Sequence, residues 1–230
     1  MRASSKARGK SAKITFRQGA ALAVPPLLLV IMVPAFQWST NLLGYPGGYL
    51  LGFVIYWGGW CILVPAGLLG GLGPLLDLFR EGKPNIKQLP LKMHAALWWP
   101  LAFPLAFIFL PKIGHVSASI ITASVLLGIV IAVTEELLWR GMYIRLFPDN
   151  AWLNTLYPSV GFALWHVAPQ LVRSNSMPGG MASFVIYAFV LGLLYAYYAR
   201  KTGSIRWSTV SHAIHDSLGL GGVTYAAWLG

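Results

Sequence analysis

An all-α, polytopic membrane helical bundle of about seven transmembrane helices is the fold this sequence predicts, and three observations predict it. Of 230 residues, 57% are hydrophobic and 10% are charged, against roughly 25% charged in an ordinary soluble domain. The apolar residues gather into seven runs near the length of about 20 residues that a helix needs to cross a bilayer. The basic residues sit mainly at the ends of those runs. The composition excludes a disordered chain and a soluble globular domain, because one core of this size cannot hide so much apolar side chain. The 25 glycines follow no collagen period, and the lone Cys61 can form no internal disulfide. A net charge of +11 would suit a nucleic-acid binder. Basic residues at the ends of apolar runs read instead as topology signals, so no nucleic-acid partner is expected.

The first run, 18–36, follows a basic tail (1–17) and carries Pro25 and Pro26, a kink that a membrane helix tolerates. No small-x-small site follows Phe36, so it reads as a signal anchor rather than a cleaved signal peptide. The second run, 50–72, is flanked by Gly48-x-x-x-Gly52 and Gly67-x-x-x-Gly71, a spacing that lets helices approach closely. It is read here as packing within the chain. The charged connection 73–93 is expected along the cytoplasmic face. Runs three to six are 94–111, 116–139, 152–170 and 182–199. The seventh, 207–229, is the weakest, with Ser211, His212, His215 and Asp216 inside it. Trp38, Trp57, Trp60, Trp98, Trp99, Trp152 and Trp207 lie near run ends and read as interfacial anchors. Residues 18–230 are expected to form one transmembrane domain.

Charge sets the expected orientation. Arg2, Lys6, Arg8, Lys10, Lys13 and Arg17 precede the first run. Arg80, Lys83, Lys87 and Lys92 follow the second, Arg140 and Arg145 the fourth, and Arg200, Lys201 and Arg206 the sixth. All of these fall on one side, and only Lys112 and Arg173 fall on the other. The positive-inside rule then places the N-terminus in the cytoplasm and the C-terminus outside. An integral protein of the plasma (inner) membrane is expected.

The chain holds only six acids. Asp77, Glu81 and Asp149 lie in connections, whereas Glu135, Glu136 and Asp216 lie in or at runs four and seven. A charged side chain near mid-membrane costs a few kcal/mol or more, so such groups face a polar interior. With His166, His212 and His215 they make one cluster drawn from three helices. Glu136 and Arg140 are four residues apart and share a helical face. Glu135 is rotated by about 100° from Glu136. Glu136 is therefore expected to pair with Arg140, leaving Glu135 to face something else. Phe162 and His166 share a face, as do His212 and Asp216, with His215 on a flank. Depth is the difficulty. At about 1.5 Å per residue, His212 lies about 9 Å from Arg206, His166 about 21 Å from Trp152, and Glu135 about 18 Å from Phe147. Straight, upright helices would not bring these groups level, so tilt or a water-filled cavity is required.

The set Glu135-Glu136-x-x-x-Arg140, Phe162-x-x-x-His166 and His212-x-x-x-Asp216 resembles the three motifs of the CPBP family. These are intramembrane proteases related to the type II CAAX-prenyl endopeptidase and to the bacteriocin-processing and immunity (Abi) proteins. Glu-Glu-Leu-Leu-Trp-Arg-Gly at 135–141 and Gly-Leu-Leu-Tyr at 192–195 fit the same pattern. The resemblance covers about 116–220. It implies that Glu135 activates the attacking water with His166 helping to hold it, that His212 and Asp216 stabilise the oxyanion, and that Glu136, Arg140 and Phe162 are structural or orienting. Peptide hydrolysis does need a base for water and donors for the oxyanion. Asp216 stands where many members carry Asn. It either donates as a neutral carboxyl or accepts, orienting His212 or His215. The favoured mechanism needs no cofactor. The alternative is a divalent metal such as zinc, with Glu135, His166 and His212 as candidate ligands.

The expected function is that of an intramembrane endopeptidase hydrolysing a peptide bond in a membrane-associated protein or peptide, with the lipid bilayer as its other partner. The alternative is a non-proteolytic immunity or assembly factor on the same scaffold. A proton-coupled transporter ranks last, because no repeated halves or paired broken helices are evident.

Overall fold

α1 (Phe16–Leu43) begins at a capping box, in which Thr15 accepts from the Gln18 amide and Gln18 reaches back to the Thr15 amide. The computed structural model describes residues 14–175 and 177–220. The tail cations Arg2, Lys6, Arg8, Lys10 and Lys13, and residues 221–229 of the seventh run, lie outside the described residues. The described chain is helical with no strand. α2 is Gly47–Leu69, α3 Leu91–Lys112, α4 Ala118–Leu146 and α6 Gly180–Thr202. Together with α1, these five are long and apolar enough to cross a membrane.

The fifth and seventh runs differ from the other five. α5 (152–165) stops at His166, and a single turn, Val167–Gln170, follows. α7 (Arg206–Leu218) is a 13-residue helix whose polar side, Ser208, Ser211, His212 and His215, is buried inside the bundle. α1 runs past Phe36 because the polar Ser39 is satisfied internally. Its hydroxyl donates to the Phe36 and Gly48 carbonyls at 3.1 and 2.7 Å. A Cβ on Gly48 would meet the α1 backbone, and one on Gly52 the Phe36 ring. That spacing therefore packs α2 on α1 within one chain. Trp57 is a correction to its reading as an interfacial anchor. It is 8% exposed and packs on Phe53 in the core, whereas Trp38, Trp99 and Trp152 are exposed.

The basic connections converge at one end. Gln18 Nε2 donates to the Leu146 carbonyl at 2.8 Å, and the Lys83 amide donates to the Thr202 carbonyl at 3.0 Å. At the other end Arg173 lies over the Tyr45 ring, 4.9 Å from its centroid.

α7 packs antiparallel along α4. Its start is recessed. The Ile205 amide donates to the Leu78 carbonyl at 3.0 Å, and Ser204 Oγ donates to the Arg80 carbonyl at 2.6 Å. Ile205 is fully buried, clustered with Leu78, Leu137 and Ile144. The connection after α2 thus folds inward and carries the start of α7 to the level of Gly141, about 9 Å up α4 from Phe147. This recess removes the depth mismatch. From that level, Glu135 and His212 are each about six residues away.

Close approach of α4 and α7 depends on Gly128. A Cβ there would lie 2.8 Å from Ser217 Oγ and 3.0 Å from the Ala213 carbonyl, whereas one at Gly58 would meet nothing within 4 Å. Gly128→Ala is expected to lower stability by about 1–3 kcal/mol through overpacking, and Gly58→Ala to cause no loss. Denaturant unfolding of the detergent-solubilised protein, followed by circular dichroism, checks this. Equal midpoints for the two variants would refute the packing argument.

Candidate active site

Glu136 is the best-partnered acid in the bundle interior. Its Oε1 is 3.1 Å from Arg140 Nη1 and 3.1 Å from His212 Nδ1, and its Oε2 accepts from Ser208 Oγ at 2.7 Å. Glu136 and Arg140 are both at most 1% exposed. Local winding assists the pair. Four residues of α-helix sweep about 400°, leaving residue i+4 about 40° beyond its partner. Residues Leu137–Gly141 instead form a π turn, whose i→i+5 bonds wind more slowly. Arg140 therefore comes closer to alignment beneath Glu136. The guanidinium carbon lies over Phe162, 4.2 Å from the ring centroid, with the Tyr195 ring centroid at 5.6 Å. Phe162 thus touches the cation of the pair and, on its other sides, the His166 and His212 rings at 4.8 and 6.1 Å.

A carboxylate paired with the Arg140 charge and accepting from Ser208 also takes a proton-bearing nitrogen from His212. Nδ1–H of His212 is therefore directed at Glu136, and Nε2 points into the site. There Nε2 faces two other acids, Glu135 Oε2 at 3.8 Å and Asp216 Oδ2 at 3.6 Å. Both distances exceed a hydrogen bond, yet the three polar atoms front one small space. Glu135 is 2% exposed and also neighbours the Tyr56 hydroxyl, which accepts from Trp139 Nε1 at 2.7 Å. His166 Nδ1 donates to the Phe162 carbonyl at 2.7 Å. A carbonyl only accepts, so this tautomer leaves a lone pair on His166 Nε2.

The structure brings Glu135, Glu136, Arg140, Phe162, His166, His212 and Asp216 into one polar interior formed by α4, α5 and α7. Ser208, Tyr56 and Tyr195 join them and were not singled out from sequence. Ser208 had a signal, since it precedes His212 by four residues on the same face. Tyr56 had none, being some 80 residues from Glu135 along the chain. Among the described residues no three His, Cys, Asp or Glu side chains are grouped to hold a metal, and no reaction step is routed through one.

Glu136→Gln is expected to destabilise the fold by about 3–5 kcal/mol, because it leaves the Arg140 charge buried without its counter-ion. Ser208→Ala, which removes one hydrogen bond to a charged group, is expected to cost about 1.5–3 kcal/mol. Unfolding in detergent would measure both, and a Glu136→Gln variant as stable as wild type would contradict the account.

Residues 117–218 match the family described as type II CAAX prenyl endopeptidase Rce1-like. The match spans α4 to α7 and every motif residue above. α1–α3 and Tyr56 lie outside it. No curated protein and no solved structure matches the chain. Of the five apolar helices of membrane-crossing length, α4 and α6 lie within the matched segment and α1, α2 and α3 outside it, and the bundle is an integral membrane protein. Residues 117–218 thus form a segment similar to the type II CAAX prenyl endopeptidase, Rce1-like, family.

Proposed function

We propose that this protein is an intramembrane endopeptidase in which Glu135 activates water and His212 faces the developing oxyanion. The family supports a protease of the CAAX type. The observation that carries the mechanism is the shared space between Glu135 Oε2, His212 Nε2 and Asp216 Oδ2, at 3.6–3.8 Å from the imidazole. Glu135 takes a proton from the attacking water, and the hydroxide adds to the scissile carbonyl carbon. His166, with a bare Nε2, holds the water on the other side. His212, with Nδ1–H held by Glu136, acts as an imidazolium and donates its Nε2–H to the tetrahedral oxygen. The C–N bond then breaks, and Glu135 returns its proton to the leaving amine. The substrate is a membrane-associated protein or peptide, a reading supported by the protease family and by helices of membrane-crossing length around the site.

The enclosed site predicts a clean separation of activity from folding. Glu135→Gln keeps the shape of the side chain and should abolish cleavage while leaving abundance near wild type. Comparison of new N-termini in cells carrying wild type and Glu135→Gln reads activity and substrate together. If every wild-type N-terminus persists in the variant, the proposal fails and the chain acts as a non-proteolytic scaffold.

Orientation belongs to the same reading. The basic end of the bundle faces the cytoplasm by the positive-inside rule. In a Cys61→Ala background, a cysteine at the exposed Lys87 should be shielded from an impermeant thiol reagent in intact cells. One at the exposed Ser174 should react. The opposite labelling pattern would invert the topology.

A further inference from the structure

Two polar side chains at the site belong to none of the three motifs. His215 precedes Asp216 on α7 and is 9% exposed. Its Nδ1 is 3.1 Å from Asp216 Oδ1, and its Nε2 is 2.7 Å from the Tyr187 hydroxyl of α6. The Tyr187 and His215 rings stack, with centroids 5.7 Å apart and planes 30° from parallel. Phe103 of α3 packs on Tyr187, ring centroids 5.2 Å apart. The contacts form one line: Tyr187, His215, Asp216, His212, Glu136.

The direction of the hydrogen bonds along that line decides what Asp216 does. A hydroxyl has one proton, and a neutral imidazole has one N–H and one bare nitrogen. In one order Tyr187 donates to His215 Nε2, and His215 Nδ1–H donates to Asp216 Oδ1. Asp216 is then an acceptor, with Oδ2 turned toward His212 Nε2 at 3.6 Å. In the reverse order His215 Nε2–H donates to Tyr187, and Asp216 must carry a proton for the bare Nδ1. The Tyr187 proton is then left with the Pro100 carbonyl at 3.5 Å, the limit of a hydrogen bond. The 2.7 Å contact favours the first order.

We propose that Tyr187 and His215 are positioning residues that hold Asp216 as a hydrogen-bond acceptor turned toward His212. The proposal rests on the reading of His212 as the oxyanion-side group. Glu136 fixes the imidazole from its Nδ1 side, and the Tyr187–His215–Asp216 line fixes the space in front of Nε2. An Asp216 without the line would swing about its side-chain torsions. A rotation that took Oδ2 away from Nε2 would remove the carboxylate that faces that nitrogen at 3.6 Å. The same line predicts that Asn can serve at this position. An amide oxygen can accept from His215 Nδ1–H as a carboxylate does.

The test has two arms on the purified full chain. The first reads imidazole nitrogen shifts in protein labelled with ¹⁵N-histidine, and it does not depend on catalysis. The His215 signal is identified by its loss in His215→Asn. It should report an Nδ1–H tautomer in wild type and in Asp216→Asn, and should lose that signature in Tyr187→Phe and in Asp216→Ala. An Nε2–H tautomer in wild type, or a signal indifferent to Tyr187→Phe, overturns the proposal. The second arm measures turnover of a model peptide. Tyr187→Phe should lower kcat three- to tenfold with KM unchanged. It should have no further effect in an Asp216→Ala background, as coupled residues require. His215→Asn, which keeps an amide donor for Asp216, should retain more activity than His215→Ala. Independent losses from Tyr187→Phe and Asp216→Ala overturn the positioning role. A wild type without turnover would instead overturn the protease reading, and the nitrogen shifts would still decide the order of the line.

Discussion

The Glu136 carboxylate is the contact on which the rest of the site depends. A charge buried to this extent is tolerable only with counter-charge and hydrogen bonds around it. Those partners come from different places: Arg140 from the same helix, and Ser208 and His212 from α7. One side chain thereby fastens α7 to α4. Arg140 extends the connection by lying over Phe162 of α5 and near Tyr195 of α6. Glu136 fixes the rotation of the His212 ring and leaves Glu135 next to Nε2 rather than Nδ1.

Depth follows from an interaction outside the matched segment. The connection after α2 turns inward, and Leu78 and Arg80 offer carbonyls to Ile205 and Ser204. These bonds satisfy backbone groups at the start of a helix that begins inside the bundle, where unsatisfied groups would be costly. A 13-residue helix can then place His212 opposite Glu136 without tilt. The loop of highest charge between spans is thus a structural part of the site, although none of its residues touches the candidate catalytic groups.

Much of this was legible in the sequence, for physical reasons that name their own limits. Long apolar runs show helices because lipid leaves no other way to satisfy the backbone. The 3.6-residue period shows which groups share a face, so the Glu136–Arg140 and His212–Asp216 pairings could be written down from spacing. Their contacts across helices could not. Spacing says nothing of where α7 starts, and the depth count therefore treated Arg206 as lying at the membrane surface. The amphipathic pattern of α7 was read as a weak span. It is instead a helix with buried polar residues, and Ser208 was overlooked on the same helical face. Tyr56 and Tyr187 sit in apolar runs where a tyrosine reads as an ordinary core residue. Only the fold shows that their hydroxyls point at Glu135 and His215. The π turn at Leu137–Gly141 has no sequence mark that local propensity would reveal.

The polar face of α7 also constrains how the protein is made. A segment carrying Ser208, Ser211, His212, His215 and Asp216 has little to gain from lipid and would not partition into a bilayer by itself. α4 and α6 precede it in synthesis, and each is long and apolar enough to cross a membrane. Glu136 and Arg140 would then wait in a half-built cleft, partnered with each other, until α7 docks as the closing element. The polar interior around Glu136 is therefore incomplete until the helix that carries His212 has docked.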